Sequence, residues 1–472
     1  MSSTIIRVVV VGAASAGATA AKSLSQSSSC GSGPGNSKVQ VTVVERRDHY
    51  FHNIGALHGS VEPTGFLPKL FLPLDRLFES KWGKCPRDKY KSGTSSSSGG
   101  GSDTVNEKAR GGSDDDGCGD HSVVRGTLTE THPNHIVLDN GQELPFDYLV
   151  LATGSDNHSP AKIVSLTRED GIKEIRGFNQ ELEKASKVLI IGGGAVGVEL
   201  AGEIATKYGP TSDISGSGGS KAVTLVHGNS KLGASHLNQK FHDDVKAKLE
   251  QLGVNVYLNE RIIMPPDVKL DNKVCSRIIN SISGKEFESD LQILATGNRI
   301  NTDYMKTLAP TITSKISEKL DSIIPLVDPE TNHIRVKPTL QLADPAYPHI
   351  FAPGDVNDLP HSEKNAMKAK TQGDTVAKNI KALIDVNYHG LRKSGNIKEA
   401  NEALEKAALS DWSNFPRNTG MVTVGPNMGS VQFLGWNLTG GFGNFVIRKT
   451  KGKDYLLSFF GSTYGYKPDQ SK

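Results

Sequence analysis

The sequence predicts an α/β fold: two Rossmann-like, three-layer nucleotide-binding domains, the second inserted in the first, and a small α+β unit at the C-terminal end. Three observations predict it. The strand–turn–helix pattern IIRVVVVGAASAGATAAKSL returns as ASKVLIIGGGAVGVELAGEI. A matching apolar strand follows each copy, VQVTVVER (39–46) and KAVTLVHG (221–228). Each half then reaches an apolar strand ending in Ala-Thr-Gly, YLVLATGS (148–155) and LQILATGN (291–298). These repeats place the first domain at 1–158 and 299–384, the second at 159–298 and the C-terminal unit at 385–472.

Composition agrees with this size and excludes several classes. A chain of 472 residues is long enough for two or three domains. Its net charge of +3 is too balanced for a nucleic-acid partner, which needs a concentrated basic face. Cys30, Cys85, Cys118 and Cys275 have no C-x-x-C spacing, which argues against a disulfide framework, a metal site and a dithiol centre. They fit a reducing, cytoplasmic setting. The first strand is expected at Ile5 with no signal or transit peptide ahead of it, and no apolar run reaches the length of a membrane span. Three Ser/Gly-rich stretches, 25–38, 91–120 and 209–221, read as loop insertions, and 91–120 is expected to be disordered.

The first turn carries Gly12, Ala14, Ser15 and Gly17. Gly12 would make the tight turn and Gly17 the close helix–strand packing, but Ala14 stands where the fingerprint G-x-G-x-x-G has its middle glycine. One methyl would displace a pyrophosphate slightly without excluding it; the alternative is a turn that has lost its ligand. The following strand ends in Glu45, an acid placed to accept ribose hydroxyls. The second turn is complete, with Gly192, Gly194 and Gly197. Its strand ends in His227 rather than an acid, with Lys231 nearby, so a 2′-phosphate would meet no carboxylate there. A solvent-facing histidine at a strand end is the alternative. Later, PHIFAPGDVND (348–358) supplies Gly354-Asp355 after an apolar strand, an acid suited to a polyol chain.

This order of motifs resembles the pyridine-nucleotide FAD-dependent oxidoreductases. FHNIGALHGSVEPTGF (51–66) and GMVTVGPNMGSVQF…NFVIRKTKGKDYLLSF (420–459) are similar to the ferroptosis suppressor protein branch of apoptosis-inducing-factor-like oxidoreductases. The resemblance implies FAD in the first domain, contacted by Gly12, Ala14, Ser15, Gly17, Glu45, Asn53, Thr153, Gly154, Gly354 and Asp355. It implies NADH or NADPH as substrate in the second, at Gly192, Gly194, Gly197, His227 and Gly297. One departure is His58, where that branch usually has an arginine contacting FAD. Without a cysteine pair, electrons would pass directly from flavin to a quinone or other small acceptor.

The resemblance also assigns roles to three charged residues. Glu199 would orient the nicotinamide carboxamide; a first-turn acid complementing the helix dipole is the alternative. Lys364, expected on the helix after Gly-Asp, and Lys451 are the cationic candidates near the flavin. In the C-terminal unit, 396–412 reads as a helix, and Phe433, Trp436, Phe442, Phe445, Tyr455, Phe459 and Phe460 read as strands packed on the flavin domain. Their other reading is a quinone tunnel or a peripheral contact with a membrane or lipid droplet, helped by Arg448, Lys449, Lys451 and Lys453. Two further functions stay open: a reductase of an electron-carrier protein, and an NADH-sensing flavoprotein acting through protein interactions. A monomer and a homodimer are equally compatible with the sequence.

Overall fold

The computed structural model describes residues 4–26, 38–78, 121–210, 219–264, 270–311, 313–315, 321–360, 364–413 and 418–467. The expected disorder at 91–120 lies outside the described residues, as does most of the other two insertions.

Two parallel sheets organise the chain. The first has the order Ile350–Phe351, Tyr148–Leu151, Ile5–Val11, Lys38–Glu45, Ser122–Arg125. The second has the order Asn255–Tyr257, Ala222–Val226, Lys187–Ile191, Leu291–Leu294. Every pairing in both is parallel. The central strands are buried on both faces, which is why they read as unbroken β-branched runs rather than alternating ones. All strands of the second sheet fall between 187 and 294, and the chain then returns at Ile350 to pair with Leu149 in the first.

Each glycine turn leads from the central strand of its sheet into a helix, Ser15–Ser25 or Ala195–Tyr208. Alanines cover the first helix on its buried side. It packs against Ala366–Asp385 through Ala16, Ala20, Val376, Ala377 and Ile380 in one core. A Cβ at Gly373 would overlap the Ala16 carbonyl, so the two backbones touch.

The C-terminal unit departs from the sequence reading. It does contain strands, Gly420–Val424, Met428–Phe433 and Trp436–Leu438, which pair antiparallel. They pack on the second half, not on the first: Val422 and Val424 share a core with Val198, Ala201 and Ile204. The Lys248 ammonium fastens this contact by donating to Asp244 and to the Gly429 carbonyl at 2.6 and 2.5 Å. Phe442 and Phe445 lie on a helix, Gly440–Lys449, and Phe459 and Phe460 on another, Leu457–Gly461. Three-residue spacing with Ile447 and Gly443 turned inward is helical rather than alternating. The helix expected over 396–412 is shorter, Ile397–Lys406. Beyond the hairpin the chain does reach the first half, where Leu457 and Tyr464 join its core and the Tyr464 hydroxyl donates to the Ala13 carbonyl at 2.6 Å.

Candidate nucleotide and electron-transfer site

The two glycine turns are superposable in their local chemistry. Gly12 has φ +97° and Gly192 φ +117°, a region L-residues avoid. A Cβ at Gly12 would stand 2.8 Å from the Ala152 carbonyl carbon, and one at Gly192 at the same distance from that of Ala295. Gly17 and Gly197 repeat the parallel, because a Cβ on either would overlap the carbonyl of Gly12 or Gly192. The middle position differs in kind. Gly194 has φ −67° and ψ −177°, and a Cβ there meets nothing within 4 Å. Ala14 takes nearly the same backbone, φ −88° and ψ −165°. A methyl at this position therefore needs no left-handed backbone and projects into open space.

Ala14 and Gly194 are the N-caps of their helices, and neither supplies a side-chain cap. Four other helices are capped by Thr167, Asn238, Asn365 and Asn396, whose side chains accept a first-turn N–H. The two helices after the glycine turns thus present their first N–H groups and positive dipole ends without a side-chain cap, which suits a pyrophosphate.

A cleft of about 750 Å³ opens at the first turn. It gathers Gly12, Ala14, Ser15, Glu45, Asn53, Thr153, Gly154, Gly354, Asp355 and Lys364 from six separate parts of the chain. Val196 and Asn298 line it from the second half, so the cleft reaches the seam between the halves. Glu45 accepts the Ala13 N–H at 2.8 Å and the Arg47 N–H at 3.0 Å, which fixes its carboxylate at the sheet's edge. Asp355 accepts the Ser155 hydroxyl at 2.7 Å and faces the Lys162 ammonium at 3.9 Å. Burial lowers the Lys162 pKa, opposed by the Asp355 and Asp156 charges. Thr153 is engaged elsewhere: its hydroxyl meets Tyr304 at 2.7 Å and the Asn301 carbonyl at 3.0 Å, pinning the returning chain to the strand end. Lys364 is not on a helix. Asn365 caps the helix that begins at Ala366, and Lys364 stands before it, donating to the Asn357 carbonyl at 2.5 Å.

At the second turn, His227 takes the position of Glu45 and shares one of its bonds, acceptance of the N–H that follows the first glycine. Its Nδ1 accepts the Gly193 N–H at 3.1 Å, and its Nε2 lies 3.0 Å from the Lys231 carbonyl. A backbone N–H can only donate and a carbonyl only accept, so the ring is neutral with its proton on Nε2. Burial lowers its pKa in the same sense. Gly192, Gly194, Gly197, His227 and Gly297 do not line the first cleft; Gly192 and His227 follow two paired strands of the second sheet.

Glu199 and Lys451 come together. They form an ion pair, with side chains 11% and 13% exposed. Glu199 sits in the second turn of its helix rather than at its start. One turn further, Glu203 accepts the Tyr455 hydroxyl at 2.6 Å and pairs with His58 Nδ1 at 2.9 Å. The His58 ring stacks on Tyr455 at 4.5 Å. His52 Nε2 holds the Tyr455 carbonyl at 2.8 Å. His58 therefore joins the first half to the second and does not line the cleft. Burial, then the Glu203 carboxylate, push the Tyr455 phenol far above its ordinary range.

Sequence reasoning missed Lys162, Ser155, His52 and Glu203, and it named Tyr455 only as one of the C-terminal aromatics. Glu203 alone had a local signal, four residues after Glu199 and hence on the same helix face.

Residues 6–373 match the family described as pyridine nucleotide-disulphide oxidoreductase. The chain belongs to that family. Its cofactors are FAD and NAD(P)H, and it is an NAD(P)H-dependent flavoprotein oxidoreductase. Apoptosis-inducing factor homolog B of Dictyostelium discoideum is 30% identical over 74% of this chain and 76% of its own. Human ferroptosis suppressor protein 1 is 25% identical over 91% of both chains. NDH2 from Plasmodium falciparum, solved in complex with NADH, shares the fold with a TM-score of 0.61 at 14% identity, over 97% of this chain and 99% of that one. Cys275, the one cysteine among the described residues, is exposed.

Proposed function

We propose that the chain is an FAD-dependent NAD(P)H:quinone oxidoreductase, with FAD in the cleft at Gly12 and NAD(P)H on the turn Gly192–Gly197. The observation that carries this reading is the pair of uncapped helix N-termini, one per sheet, on glycine turns of matching geometry. Bound FAD supplies two-electron redox chemistry between the nicotinamide and the acceptor.

The chain's own residues bind and orient. The free N–H groups after Ala14 and after Gly194 each receive a pyrophosphate. Each Glu45 oxygen retains a second lone pair for a ribose hydroxyl after accepting its backbone N–H. Asp355, held by Ser155, accepts from the polyol chain, with the Lys162 ammonium beside it. Glu199 and Lys451 act as a positioning pair, tying the nicotinamide helix to the C-terminal segment. The cysteine spacing favours direct transfer to a small acceptor over a dithiol relay.

The C-terminal unit supports peripheral contact with a membrane as its route to a lipid-dissolved quinone. Trp436 is 79% exposed and Phe442 63%, beside exposed Phe433, Leu434 and Phe445, with Arg448 and Lys449 on the same helix. Co-flotation with anionic liposomes at low salt supports this contact; failure to float removes it.

The test of the activity is steady-state oxidation of NADH and NADPH with a soluble quinone, a carrier protein such as ferredoxin, and oxygen alone. Quinone should give the highest turnover. A carrier protein outrunning quinone, or no turnover beyond oxygen, would remove the proposal.

A further inference from the structure

His227 ends the second strand where a carboxylate would reject a 2′-phosphorylated ribose, and its two ring nitrogens are both spent on backbone groups. Something else must read the 2′ position. The loop Asn259–Arg261 is fastened alongside by two backbone bonds, from Asn259 N–H to the Asn229 carbonyl at 3.2 Å and from Glu260 N–H to the His227 carbonyl at 3.0 Å. Asn259 itself takes a left-handed backbone, φ 58°. These bonds bring Arg261 over Gly228, the residue after His227: a Cβ at Gly228 would lie 3.6 Å from the Arg261 Nε.

The surrounding charge is one-sided. Glu260, the carboxylate of that loop, is turned away and bound by the Ser283 hydroxyl at 2.7 and 3.0 Å. Lys231, whose carbonyl meets His227 Nε2, donates a long bond, 3.5 Å, to the Ser235 carbonyl. Arg261 is exposed and forms no ion pair among the described residues. The first half differs at this position, where Glu45 supplies a carboxylate.

We propose that Arg261 is the residue by which the second site reads a 2′-phosphate, so that the chain takes NADPH as a true substrate, with Lys231 as a second cation. The inference rests on the assignment of NAD(P)H to the Gly192–Gly197 turn. A guanidinium can meet a phosphate with two parallel N–H bonds, which a lysine cannot.

The experiment measures kcat/KM for NADPH and NADH in the FAD-loaded protein, with Arg261→Ala, Arg261→Lys and Arg261→Glu. Competition by 2′,5′-ADP against 5′-AMP gives a readout independent of turnover. Arg261→Ala should lower the NADPH/NADH ratio about tenfold through KM, as expected for one lost charge-assisted contact. Arg261→Lys should recover part, and Arg261→Glu should fall below Ala. Wild type should bind 2′,5′-ADP more tightly than 5′-AMP, and Arg261→Ala should erase that difference. NADH oxidation with a ratio that ignores position 261 overturns this inference and leaves the function intact. Failure of both nucleotides to reduce the flavin overturns the function itself.

Discussion

Exchanging the first and middle positions of the first turn separates backbone need from ligand clearance. In Gly12→Ala, the new methyl would stand 2.8 Å from the Ala152 carbonyl carbon and 3.3 Å from the Thr153 nitrogen. Both belong to backbone that is held in place, since the Ala152 N–H donates to the Val11 carbonyl at 2.8 Å. The backbone at φ +97° must also shift or carry strain. Left-handed strain of about 1–2 kcal/mol and overpacking of about 1–3 kcal/mol give a loss of roughly 2–5 kcal/mol. Ala14→Gly is the opposite case. Glycine is the better N-cap but the looser backbone, and the two effects leave a change within about 1 kcal/mol. Urea unfolding of FAD-loaded protein, together with the flavin-to-protein ratio after purification, measures both. Gly12→Ala should lose most of its flavin while Ala14→Gly keeps it. A Gly12→Ala variant with full flavin and unchanged stability would refute the account of this turn. So would a large change in FAD affinity in Ala14→Gly.

Three other outcomes follow from the packing. Lys451→Met leaves the buried Glu199 unpaired and should cost about 3–5 kcal/mol; Glu199→Gln/Lys451→Met together should cost clearly less than the sum, by a double-mutant cycle in urea. Gly202→Ala places a Cβ 2.8 Å from the Val424 Cα and should loosen the C-terminal hairpin by about 1–3 kcal/mol, seen as faster proteolysis within 418–467. His52 is fully buried and its pKa is lowered to about 4 by burial, with hydrogen bonding to the Tyr455 carbonyl opposing. The unfolded chain then binds the extra proton first. Stability is intact above about pH 6.5, falls as pH drops from there to about 4, by up to about 3 kcal/mol, and levels off below. His52→Gln should flatten that limb of the pH–stability curve.

The nucleotide turns were legible in the sequence because their requirements are local. Positive φ at Gly12 and close packing at Gly17 each impose a residue type at a fixed offset, and Glu45 and His227 sit at strand ends that the apolar runs mark. The middle position was legible as a question only: whether a methyl fits depends on what faces it, and the sequence does not show that Gly194 faces open space. Lys162 and Ser155 reach Asp355 from two hundred residues away in sequence, so no spacing announces them. Lys364 falls outside the helix because Asn365, the next residue, is its cap. Phe442 and Phe445 resemble strand residues in a run of short aromatic segments, and Gly440, Gly441 and Gly443 beside them carry little helical signal. The structure uses Gly443 for contact instead: a Cβ there would stand 2.9 Å from the Leu438 carbonyl carbon.

The central claim is that a flavin in the first cleft takes electrons from a nicotinamide on the second turn. Anaerobic titration of the purified protein with NADPH or NADH, followed by visible absorption, tests it most directly. The account predicts a yellow protein whose flavin bands bleach at one equivalent of nucleotide and return when quinone is added. A colourless protein that takes up no added FAD, or a bound flavin that neither nucleotide bleaches, would contradict it.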